Sequence, residues 1–110
     1  MKITTQQGDP SSILGLAAYP QTDAACVSTA FNGGINYFFF YNFDNESFLD
    51  GLKTIVAVQR EQVLVATGSE CRDINNLRQY LEQVRHRLKL DVVDVFFSEY
   101  VFKCSSIFCY

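Results

Sequence analysis

One hundred and ten residues allow one domain at most, and 48% hydrophobic, 15% aromatic and 19% charged side chains make it globular rather than disordered. A net charge of −3, a pI near 4.9 and the lack of a basic cluster leave no footprint for nucleic acid. Met1 to Pro10 lacks the apolar core of a signal peptide, and the most apolar window, Val92 to Phe102, holds Asp94 and Glu99 and is too short for a membrane span, so a cytoplasmic location is expected.

Lys2 to Gln6 alternates weakly, Gly8-Asp9-Pro10 is a turn signal, and Ser12 to Leu14 resumes the pattern, which predicts a short β-hairpin. A first core strand is expected over 14–19, closed by Pro20. Thr22 is placed to cap a helix over 23–32, with Asp23 favourable in its first turn and Val27, Ala30 and Phe31 as its buried stripe. Gly33-Gly34 ends that helix where a left-handed conformation is needed. The aromatic run that follows, Tyr37-Phe38-Phe39-Phe40-Tyr41, is too apolar for a solvated edge and predicts a buried strand over 36–41.

After the polar break at 42–45, a helix is expected over 46–59, burying Phe48, Leu52, Ile55 and Val56. Gly51 weakens it by about 1 kcal/mol relative to alanine, which points to close packing at that position. A third buried strand covers 63–67. Asp73 caps the clearest helix, 73–88, in which Ile74, Leu77, Leu81, Val84 and Leu88 recur at helical spacing. Arg85, Arg87 and Lys89 complement its dipole. A fourth strand is expected over 92–97, and 99–110 is an apolar tail without a pattern.

The order is hairpin, then β-α-β-α-β-α-β, which means right-handed crossovers and a parallel sheet. Cys26, Cys71, Cys104 and Cys109 permit two disulfides, but without a secretory signal or a Cys-x-x-Cys pair they read as reduced thiols. The single histidine, His86, sits in a helix and far from them in sequence, so no metal site is expected.

Four stretches, in order, resemble the aldo-keto reductases. Ile13-Leu14-Gly15-Leu16 is similar to that family's opening strand, and Gly34-Ile35-Asn36-Tyr37-Phe38 to its second. Arg60 to Thr67 resembles the third, which in the family ends in Ala/Ser-Thr-Lys. Leu81-Glu82-Gln83, Arg87-Leu88 and Asp91 to Val95 resemble the helix and fourth strand before the family's histidine. The fold this implies is a TIM-barrel-type (β/α) architecture. A whole barrel takes roughly 250 residues, so this chain corresponds to an N-terminal half-barrel of about four parallel strands behind a hairpin, as a single domain over 1–110.

The activity the resemblance implies is hydride transfer from NADPH to an aldehyde or ketone. It needs a tyrosine as proton donor, a lysine to lower that tyrosine's pKa, an aspartate to orient the lysine and a histidine to orient the carbonyl. The aspartate position falls on Phe39, the tyrosine on Asp44, the lysine on Gly68 and the histidine on Glu99, so all four are replaced. Tyr41 and Tyr100 lie nearby, but a tyrosine without a cationic partner keeps a pKa near 10, and none of Lys2, Lys53, Lys89 and Lys103 ends the third strand. Asp44 and Glu99 are candidates for a carboxylate pair at the strand C-terminal face, where barrel active sites lie. The family holds its cofactor in loops after the seventh and eighth strands, which have no counterpart here, and Gly33-Gly34 is not a phosphate loop.

The expected function is therefore that of a non-catalytic aldo-keto-reductase-like protein or fragment, with no cofactor of its own. It would act by association with itself or a protein partner that covers the open half-barrel. Phe38, Phe40, Val65, Val95 and Phe97 are the expected uncovered side chains, unless the tail folds across them. The alternative is an NADPH-dependent oxidoreductase whose cofactor-binding half lies in a longer protein, or a binding module that keeps a nucleotide-shaped pocket without turnover.

Overall fold

A computed structural model describes residues 3–69 and 73–98. Glu99, Tyr100, the 99–110 tail and Cys71, Cys104 and Cys109 lie outside the described residues. The elements are β1 (Leu16–Ala17), α1 (Ala24–Asn32), β2 (Tyr37–Phe40), α2 (Glu46–Gln59), a 3-10 turn (Arg60–Gln62), β3 (Leu64–Ser69), α3 (Ile74–Leu88) and β4 (Val95–Ser98).

The helices follow their caps. Asp23, not Thr22, caps α1. Its backbone is extended (φ −99°, ψ −175°) and its Oδ1 accepts the Cys26 N–H at 3.0 Å. The Thr22 N–H instead closes a turn onto the Tyr19 carbonyl at 2.9 Å. At the other end the Gly33 N–H reaches the Thr29 and Ala30 carbonyls, and Gly34 takes φ +104°, turning the chain into β2. Asn45 caps α2 and Asp73 caps α3, whose last turn carries Arg85, His86 and Arg87.

The sheet order is β1-β2-β3-β4 with every pairing parallel. Consecutive neighbours joined by crossovers of one hand return on the same side each time, so the three helices share one face. Val27 of α1, Phe48, Leu49, Leu52 and Val56 of α2, and Val84 and Leu88 of α3 pack into one core with Phe38, Phe40, Val63 and Val65. Gly51 is where α1 and α2 touch: a Cβ there would lie 2.8 Å from Ala24 Cα. Among the described residues the sheet is open, with β1 and β4 at its two ends.

That arrangement corrects the expected uncovered residues. Phe38, Phe40 and Val65 are fully buried under the helices. Val95 and Phe97 lie on the uncovered face as expected, but in β2 and β3 alternation reverses the assignment: Phe39 pairs with Ala17 and Ala66, Ala66 with Val95 and Gly68 with Phe97, and these share that face with Tyr37. Among the described residues no helix packs on that face.

The starts of β1 and β4 differ from expectation for a common reason. β1 is two residues long rather than 14–19, and Ile13 and Leu14 are exposed. The chain before it is tied to β2 by side chains: the Ser12 N–H donates to Asn36 Oδ1 at 2.8 Å, and the Asn36 N–H donates to Ser12 Oγ at 3.1 Å. β4 starts at Val95 rather than 92, and Val92 is exposed. Alternate residues of a strand bond opposite neighbours. The Leu64 N–H bonds Asn36 on the β2 side, which turns Val63 and Val65 toward β4. There the Val65 N–H is taken by Asp94 Oδ2 at 2.8 Å and the Val63 carbonyl by Arg60 Nη1 at 2.9 Å, so regular pairing begins only above them. β3 runs on to Ser69, two residues beyond the expected end.

The hairpin is reduced to one antiparallel bridge, Thr4 to Pro10, with Thr5 N–H to Asp9 carbonyl at 2.8 Å. Pro10 has no N–H to extend the ladder. No described helix is long and apolar enough to cross a membrane.

Candidate functional site

The C-terminal ends of parallel strands are where α/β sheets place their chemistry. Phe39 and Gly68, two of the four positions singled out from the sequence, lie there on one face of adjacent strands. Phe39 sits beside Ala66, and Gly68 is the next residue of β3 on that face. The Phe39 and Phe97 rings meet edge to face with centroids 5.8 Å apart. Their strands are not neighbours, and two strand spacings come to roughly 9.6 Å. The rings therefore lean toward each other over β3, where Ala66 and Gly68 present almost no side chain. Phe39 also stacks on Tyr41 at 6.3 Å. What occupies this place is an aromatic layer over two small residues. Ala66 is fully buried beneath it, and Phe97 remains 44% exposed.

Asp44 is elsewhere. It lies in the loop between β2 and α2, exposed, its N–H donating to Asn42 Oδ1 at 3.0 Å. It lines an open cleft of about 300 Å³ with Ala18, Pro20, Tyr41, Asn42, Asn45 and Glu46. Tyr41 is half exposed, and no lysine or arginine is among those residues. The structure thus brings Phe39 and Gly68 together and places Asp44 in the neighbouring cleft. Glu99, its expected partner carboxylate, lies outside the described residues.

The residue that builds the cleft is Asn45, read from the sequence only as part of a polar break. Its Oδ1 accepts the Phe48 N–H at 3.0 Å and caps α2, while its Nδ2 donates to the Tyr19 and Thr22 carbonyls at 2.6 and 2.7 Å. One side chain joins the β1–α1 loop to the start of α2. An asparagine immediately before Glu46 carries the N-cap preference that signals such a role.

A second unforeseen feature is the Arg60–Asp94 pair, 3.0 Å apart, with side chains only 16% and 11% exposed. Arg60 also donates to the Val92 carbonyl at 2.9 Å. The two residues are distant in sequence and follow no local pattern, so nothing short of the fold joins them.

Among the described residues, two groups have shifted ionisation. The Cys26 backbone N–H holds the Asp23 carboxyl below the usual aspartate range. Burial on the aromatic face pushes the Tyr37 hydroxyl above the ordinary tyrosine value. His86 is exposed on α3, as its place on the polar side of that helix suggests. Among the described residues no group of three or more His, Cys, Asp or Glu is placed to hold a metal ion.

No protein-family model, no curated protein and no solved structure matches the chain.

Proposed function

We propose that the chain is an aldo-keto-reductase-like half-barrel without catalysis, acting through association of its aromatic sheet face with a second copy or a partner. The observation that carries this reading is the packing at Phe39, Gly68 and Phe97. The resemblance puts an aspartate and a lysine at Phe39 and Gly68, charged groups that would set a tyrosine's proton. A phenyl ring and a glycine neither hold nor move one. The substitution is matched in volume, because the ring at Phe39 covers space that a glycine leaves. An apolar layer stands in place of an ion pair, which favours a structural use of the face over an acid–base use.

The singly wound order, with helices on one face, is the order of the first four units of a (β/α)8 barrel. In such a barrel the inner face is filled by side chains from all strands. Here that face holds Tyr37, Phe39, Val95 and Phe97. The direct test is NADPH oxidation by the purified chain with a panel of aldehydes and ketones. No turnover above background is expected. Turnover that disappears in Asp44→Asn or Glu99→Gln would overturn the reading in favour of an oxidoreductase.

A further inference from the structure

We draw no further inference here: the strongest candidate, the open basic groove between α2 and α3 lined by Lys53, Arg85, His86, Arg87 and Lys89, carries none because Arg85 and Arg87 are already paired with Glu82 and Asp50, Glu46 stands in the same groove, and nothing in the structure shows an anion or partner on it.

Discussion

Asn45 makes three hydrogen bonds from one short side chain, and two of them hold backbone carbonyls of another loop. Replacing it with alanine removes a helix cap and leaves the Tyr19 and Thr22 carbonyls to find water. Loss of a cap alone costs about 0.5–2 kcal/mol, and each carbonyl adds a fraction of a hydrogen bond's net worth. Asn45→Ala should therefore lower stability in urea by roughly 2 kcal/mol. Asn45→Asp, which keeps the acceptor and loses the donors, should fall between. Equal losses in the two variants would show that only the donors matter. Asp23 gives a pH-dependent counterpart. Its folded pKa is held below the unfolded value of about 3.9 by the Cys26 N–H. Its contribution is therefore present above that value and is lost as pH falls through the folded pKa. Asp23→Asn keeps a cap acceptor and should flatten the acid limb of the stability profile. An unchanged acid limb would mean that the bond does not persist in solution.

At the scale of elements, the helices and the starts of β2 and β3 could be read from the sequence to within a residue, and the starts of β1 and β4 could not. The Phe48, Leu52, Ile55 and Val56 stripe marks α2 and the Asp73 cap marks α3, so the expected spans at 46–59 and 73–88 agree with the structure to within a residue. β1 and β4 begin late because remote side chains take the hydrogen bonds that a longer ladder would use: Ser12 with Asn36, and Arg60 with Asp94. A local pattern carries no information on such partners. The same holds for the faces of β2, where three phenylalanines in a row leave alternation without a polar residue to mark the outside. The Arg60–Asp94 pair has a measurable consequence. Asp94→Ala takes the counter-charge from a nearly buried guanidinium, which keeps its bonds to the Val63 and Val92 carbonyls, and leaves the Val65 N–H without its acceptor, at a cost of up to about 3–5 kcal/mol for a broken buried pair. Asp94→Asn retains an acceptor for Val65 and should lose less. Hydrogen exchange at the Val65 amide separates the two effects: it should quicken in the alanine variant and stay slow in the asparagine variant.

For the whole molecule, the question is what the second face of the sheet meets. Helices cover the centre of one face, with Phe38, Phe40 and Val65 at zero exposure. The other carries Phe39, its neighbour Phe97 at 44% exposure and Tyr41 at 51%, grouped at the strand C-terminal end. Burying a large apolar side chain is worth roughly 1.5–3 kcal/mol, so two or three half-exposed aromatics in contact are a sizeable fraction of a small domain's stability of about 5–15 kcal/mol. Association that covers them is favourable. The chain should therefore sediment as a concentration-dependent assembly. Phe97→Asn should shift that equilibrium toward monomer, and the shift should be weakly dependent on salt because the contact is apolar. Phe97 borders the site without lying under the helices, so the variant should keep its far-ultraviolet circular dichroism. A monomer at every concentration, unchanged by the substitution and without binding of a hydrophobic dye, would leave the aromatic face with no role in association. The inactive half-barrel reading would then lack its mode of action.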